Sequence, residues 1–128
     1  MGNSKTYNFI HWASTGLLSL FLLLSAGMYI ATHDDVEIVF SDLGFPSWLI
    51  YPMAIAKIAG VILLLSKFSE SLTEWAYAGI FFNLLLAVGA HVAVNDGQFI
   101  PAFVGIVLLM ASYFTWKRRS ISKIKISL

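Results

Sequence analysis

Charge is missing from four long stretches of this 128-residue chain, and that absence constrains the fold more than any other feature. Phe9 to Ala31 carries no formal charge at neutral pH, with His11 its one group titrating near neutrality. Trp48 to Ser66 is apolar apart from Lys57, and Trp75 to Val94 apart from Asn83 and His91. Phe99 to Trp116 carries no charge at all. A helix rising ~1.5 Å per residue needs about 20 residues to cross a ~30 Å hydrocarbon core. All four stretches therefore read as membrane spans, the last one marginally. A spanning backbone must satisfy its own hydrogen bonds, and a barrel strand needs only ~10 alternating residues. These runs are too long and too uniformly apolar for strands. The expected fold is all-α: a transmembrane antiparallel four-helix bundle, with spans at 9–31, 48–66, 75–94 and 99–116. It forms a single membrane domain, 1–128, that ends in a basic tail, 117–128.

Composition closes the other routes. The chain is 59% hydrophobic and 12% charged, against ~25% charged in an ordinary soluble domain. A small soluble domain hides only about 60–70% of the surface its unfolded chain exposes, too little for this apolar content. Disordered chains are polar and highly charged, which this one is not. A net charge of +1 speaks against nucleic acid as a partner. Without Cys there is no disulfide, thiolate nucleophile or iron–sulfur cluster.

The cations give an orientation. Of eight Lys and Arg, all but Lys57 lie outside the runs: Lys5, Lys67, Lys117, Arg118, Arg119, Lys123 and Lys125. Four spans place all of these on one side, and three or five would split them. By the positive-inside rule both termini are expected in the cytoplasm of a multi-pass bacterial inner-membrane protein. Asp34, Asp35, Glu37, Asp42 and Asp96 fall on the opposite side. Leu17–Leu24 followed by Ser25-Ala26-Gly27 loosely resembles a signal-peptide core and cleavage site, but the apolar run continues past it and reads as a span. The myristoylation-like start, Met1-Gly2-Asn3-Ser4-Lys5-Thr6, reads as a chance match in a chain already anchored by four spans.

The connections are patterned. Val36, Val39, Phe40 and Leu43 recur at helical spacing, opposite Asp34, Asp35, Glu37 and Asp42. A short amphipathic helix is expected in this first outer loop, with its apolar face on the bundle mouth. Gly44 and Pro46 should end it. Ser71-Leu72-Thr73-Glu74 has the form of a capping box and predicts the start of the third span. Asn95-Asp96-Gly97 is a turn signature.

Glu74-Trp75-Ala76-Tyr77-Ala78-Gly79, then Ala90-His91, then Asn95-Asp96-Gly97 resemble the DoxX-like family of small four-helix membrane proteins. Leu43-Gly44-Phe45-Pro46 and Ala56-Lys57-Ile58-Ala59-Gly60 are similar to that family's motifs at the end of its first loop and in its second helix. The resemblance runs from about residue 10 to residue 117. It implies a four-helix transmembrane bundle. The family takes its name from a subunit of a thiosulfate:quinone oxidoreductase, and relatives include a chaperone of nicotinic receptors. The resemblance is therefore compatible with a redox subunit or an assembly partner.

Lys57 is the clearest anomaly. It lies about nine residues from either end of its span, ~13 Å deep. An ionisable group there costs at least ~2.5–3.5 kcal/mol on insertion scales, and no span holds a carboxylate. It reads either as a ligand or proton group, or as a polar rivet bonded to Asn83 or backbone carbonyls. In both readings it faces the bundle interior. His91 and Asp96, with His33, Asp34 and Asp35, share the outer layer; their spacing is not that of a metal motif, and a helix-end His bonded to a carboxylate is the simpler reading. His11 shares its depth with Glu74, which allows a proton-shuttling or interfacial pair. His11 and His91 lie too far apart in depth to share one haem. Ala76, Gly79, Asn83, Ala87 and Ala90 form one stripe on the third span, suited to close helix packing.

No nucleophile–base–orienter set or cofactor fingerprint is visible. The expected function is a non-catalytic binding or assembly partner of another membrane component, with the lipid bilayer and a membrane protein or second copy as partners. The alternative is a quinone-linked redox subunit whose pocket is built by Lys57, Asn83, Trp75 and Tyr77. Quinone is the one cofactor this allows, and no metal is expected. Four helices without intramembrane acids offer a poor transport path.

Overall fold

A computed structural model describes residues 2–127, with side chains described for 5–118. Five helices follow one another: α1 Gly2–Ala31, α2 His33–Leu43, α3 Ile50–Ser66, α4 Glu70–Val94 and α5 Ile100–Ser127, with a 3₁₀ turn at Ser47–Leu49 leading into α3. No strand occurs among the described residues. Four segments are long and apolar enough to span: Lys5–Ala31, Ser47–Ser66, Glu70–Val94 and Ile100–Arg118. They match the expected runs, starting earlier in the first three, while the fourth starts one residue later and ends two residues later. The extra residues are mostly polar, and they prolong the helices beyond the apolar core. The basic segment that follows the fourth span continues α5 as helix through Ser127. The side chains of Arg119, Lys123 and Lys125 lie outside the described residues.

The four long helices form a square in the order α1, α3, α4, α5, each packed on its two neighbours. Short connections between α3 and α4 and between α4 and α5 force antiparallel neighbours. The core is a column of Leu18, Leu22, Val61, Leu64, Ile80 and Leu84, among others. Leu17, Ile55, Phe82 and Phe114 remain exposed on the outer faces, as lipid-facing residues of a spanning bundle should. Two glycines set the interhelical distance. A Cβ at Gly60 would sit 3.1 Å from Ile80 Cδ1, and one at Gly105 would sit 3.1 Å from Leu84 Cδ2. Glycine thus brings α3 and α5 close to α4.

The helix ends have specific causes. Gly44 adopts φ 85° after α2; its N–H donates to Ser41 O at 3.1 Å, and the Phe45 N–H donates to Phe40 O at 2.8 Å. This is a Schellman cap, completed by Phe45 against Phe40 with ring centroids 5.8 Å apart. Asn95 ends α4 in the same way at φ 55°, with the Asp96 N–H donating to His91 O. The α4 start differs from the expected capping box. Ser69 is the N-cap, and its Oγ accepts from the Leu72 N–H at 3.4 Å, so Ser71 and Glu74 lie inside the helix. Ser69 competes successfully because it stands first after the extended residues that leave Lys67, and its carbonyl also accepts from Thr73 Oγ1 at 2.7 Å.

Helix α2 lies across one end of the bundle, against α1, α3 and α4. Val36 and Phe40 are buried on Ile50, beside Tyr29 and Leu49. Val39 departs from the expected apolar face: it is 47% exposed. Phe40 takes the packing position and turns Val39 to the rim of the opening below α2.

Candidate functional site

Beneath α2 the bundle holds a half-open cavity of about 690 Å³, to which every helix contributes. Ser25 and Tyr29 of α1, Lys57 of α3 and Asn83 of α4 line its floor; Asp42, His91 and Asp96 lie towards its mouth. Lys57 is 7% exposed. Its ammonium donates to Ser25 Oγ at 2.7 Å and lies 3.9 Å from the Tyr29 ring centroid. Asn83, the partner expected from depth, makes no hydrogen bond to Lys57 or to any other described side chain. The α1 hydroxyl lies closer, because α1 and α3 are direct neighbours and Ser25 faces the cavity. Lys57 thus keeps N–H donors beyond the one used on Ser25.

A second cavity of about 350 Å³ runs between α3 and α4. It shares Lys57, Asn83 and Leu22 with the first and is otherwise lined by small or apolar residues, including Ala76, Gly79 and Trp75. Trp75 reaches this cavity's edge while remaining 74% exposed. Lys57, Asn83 and Trp75 are therefore brought together. Tyr77 is not: it points to the opposite side of α4, stacked on Trp116 at 5.5 Å. A two-residue step along a helix turns the side chain by about 200°, which separates Trp75 from Tyr77.

Tyr77 belongs to a second polar layer nearer the chain termini. Ser112 is its hub: Ser112 Oγ lies 2.5 Å from Thr15 Oγ1 and 2.7 Å from the Tyr77 hydroxyl. His11, fully buried, joins it through Nδ1, which donates to Ser112 O at 3.1 Å and lies 3.2 Å from Thr115 Oγ1. The His11–Glu74 pair is replaced by this arrangement. Glu74 instead forms an ion pair with Lys117, since α4 and α5 are adjacent while α1 lies diagonally across the bundle. The Lys67 ammonium sits between the rings of Trp12, Tyr77 and Trp116, 5.7–5.9 Å from each centroid, and donates to Leu64 O at 2.6 Å.

At the α2 end, His91 Nδ1 donates to Asp96 Oδ2 at 2.8 Å. The Gln98 N–H donates to Asp96 Oδ1 at 2.9 Å. These two bonds, the backbone one first, hold the Asp96 carboxyl below the usual carboxylate range. His33 stacks on Tyr51 and lies 3.8 Å from Asp34 and 4.0 Å from Glu37, a solvent-facing group apart from His91 and Asp96. His33, Asp34 and Glu37 bring their ligand atoms within 4.8 Å of one another, a grouping that leaves out His91 and Asp96.

Ser25, Tyr29, Thr15 and Ser112 were not singled out in the sequence. A signal for three of them exists on α1: His11, Thr15 and Ser19 recur at four-residue steps, and so do Ser25 and Tyr29. Chemically, the floor of the larger cavity is a donor-rich, positively charged surface enclosed by apolar walls. It suits binding of a hydrogen-bond acceptor.

No curated protein and no solved structure matches the chain. A family model described as the DoxX-like family matches residues 13–114, from the first span into the fourth. That stretch covers well over half of the 128 residues and includes Lys57, Asn83 and His91, so this multi-pass membrane protein belongs to the DoxX-like family.

Proposed function

We propose that this DoxX-like protein is a non-catalytic binding component of a membrane assembly, holding a small acceptor-bearing molecule against Lys57 beneath α2. The observation that carries this reading is the Lys57 ammonium: 7% exposed, bonded to Ser25, and facing a cavity of about 690 Å³ with donors to spare. Burying a charge is expensive unless its bonds are satisfied. A bound acceptor would satisfy them. The Lys and Arg distribution supports a bacterial inner-membrane orientation with both termini cytoplasmic and α2 outside. The exposed apolar faces suit lipid, and a partner protein or second copy would dock there.

A quinone-linked role is the second reading. A quinone presents carbonyl acceptors on a lipid-soluble ring, which fits the Lys57 donors and the apolar walls. Tyr77 plays no part in it, because its hydroxyl is engaged with Ser112 on the other face of α4.

The test is extraction in native lipid followed by small-molecule mass spectrometry, for the wild type and Lys57→Met. A stoichiometric compound present in the wild type and absent from a well-folded Lys57→Met protein is the expected result. If that compound is a quinone, the redox reading takes precedence. An empty wild type, together with a Lys57→Met strain indistinguishable from the parent, would overturn ligand binding.

A further inference from the structure

The two cavities meeting at Lys57 are both largely apolar, the larger with more polar groups in its lining, and together they define a ligand shape. On the α2 side the shared floor offers an ammonium and the free amide of Asn83. Lys57 has no carboxylate within ion-pair distance among the described residues. Of the acids around the larger cavity, Asp96 is already bonded to His91, and Asp42 lies in α2 at the mouth. The head position therefore carries an uncompensated positive charge.

The α3–α4 groove begins at the same two residues. It continues past Gly60, Ala76 and Gly79 to Leu63 and Leu72. Asn83 to Leu72 spans about 16 Å along α4. Apart from Lys57 and Asn83, the groove presents carbon along most of its length. At Gly79 an added Cβ would meet nothing within 4 Å, so the space there is empty rather than filled by a neighbouring helix. The groove covers only the half of α4 between Asn83 and the chain termini, too short for a packed transmembrane helix. A bilayer phospholipid keeps its head at the interface, whereas this charge sits at mid-depth. A single chain with an anionic end fits both parts.

We infer that the protein binds an anionic single-chain amphiphile, its carboxylate on Lys57 and Asn83 and its hydrocarbon chain in the α3–α4 groove. This rests on the ligand-binding reading above and narrows it: charge complementarity selects an anion over a neutral quinone, and the groove supplies the tail site. The head reaches Lys57 through the cavity under α2, and the chain leaves between α3 and α4 on the lipid side.

The test uses the full chain in phosphatidylcholine nanodiscs, photolabelled with diazirine-tagged dodecanoate and mapped by peptide mass spectrometry. Dodecanol and a short-chain quinone carrying the same tag serve as neutral probes. In the wild type, label is expected on the 72–83 segment and should be competed by unlabelled dodecanoate but not by dodecanol. Lys57→Met should reduce competed labelling about tenfold or more, the scale of one charge-assisted bond. Gly79→Leu should abolish it by filling the groove. Gly89→Leu, at an exposed glycine of α4 outside the groove where a Cβ also meets nothing, should leave it unchanged. Ala59→Leu, at an exposed groove position on α3, replaces Gly79→Leu if that variant fails to fold. Equal labelling by acid and alcohol, or labelling indifferent to Lys57→Met, would overturn the anionic head. Competed labelling that survives Gly79→Leu would overturn the groove and leave the Lys57 cavity standing. If no probe is competed, the binding reading falls as well.

Discussion

Lys57 of α3 donates to Ser25 of α1 across the bundle interior at 2.7 Å, the one direct hydrogen bond tying the ammonium to another described helix. A buried ion is most costly when a partner is removed and least when the ion itself is replaced by an apolar residue of similar shape. Ser25→Ala should therefore destabilise the protein by about 1–3 kcal/mol, the usual penalty for orphaning a buried donor. Lys57→Met should be close to neutral, and the double variant should resemble Lys57→Met. Thermal unfolding of the four proteins in one detergent measures the coupling. Additive effects would mean that the bond contributes nothing.

The glycines of α3 and α4 should separate by surroundings. Gly79 faces open space, so Gly79→Ala should stabilise by up to ~1 kcal/mol through helix propensity. Gly60 lies against Ile80, where a Cβ would already sit 3.1 Å from Cδ1. Gly60→Leu should cost about 1–3 kcal/mol as an overpacked site. The same thermal assay applies, and equal responses at the two positions would contradict the packing.

Ser112 bridges two helices at once, and its loss should exceed the loss of either arm. Ser112→Ala leaves both the Thr15 and Tyr77 hydroxyls without that partner. It should cost about 2–3 kcal/mol, while Tyr77→Phe, which spares the Thr15–Ser112 bond, should cost about 1 kcal/mol. A Tyr77→Phe effect as large as that of Ser112→Ala would show that Tyr77 acts elsewhere.

The spans were legible because membrane insertion imposes a one-dimensional rule of length and charge, and the α2 cap because Gly44 and Pro46 are local signals. The site was legible only by depth. Depth puts Lys57 beside Asn83 and His11 beside Glu74, but contact depends on which helices are adjacent around the square. α1 neighbours α3 and α5 rather than α4. That arrangement gives Lys57 to Ser25 and His11 to Ser112, and no charge or hydropathy pattern encodes it. Tyr77 illustrates the angular half of the same problem: two residues from Trp75, it faces another side of α4.

Orientation has a direct test. Cysteine at Asp35, exposed on α2, should react with a membrane-impermeant maleimide added to intact cells. Cysteine at Ser122, beyond the described side chains, should react only after lysis. The reverse pattern would invert the topology and place the mouth of the larger cavity in the cytoplasm.

The turn joining α4 to α5 should respond to pH through Asp96. Its carboxylate accepts from the Gln98 N–H at 2.9 Å and from His91 Nδ1 at 2.8 Å, and both bonds favour the charged form. The folded carboxyl therefore titrates below the ordinary value of about 3.9. A group whose folded pKa is depressed stabilises the fold above its unfolded pKa and loses that contribution as pH falls through the folded value. The turn should hold at neutral pH and loosen only below about pH 4. The Gln98 amide reports this directly by NMR: its carboxylate inflection should fall below the normal carboxylate value of about 3.9. His91→Ala should move the inflection part of the way back, because the Gln98 N–H remains the larger cause. Asp96→Asn should remove it altogether. A carboxylate inflection, the one that Asp96→Asn removes, at or above the ordinary value in the wild type would mean that the carboxylate is not held by these two donors.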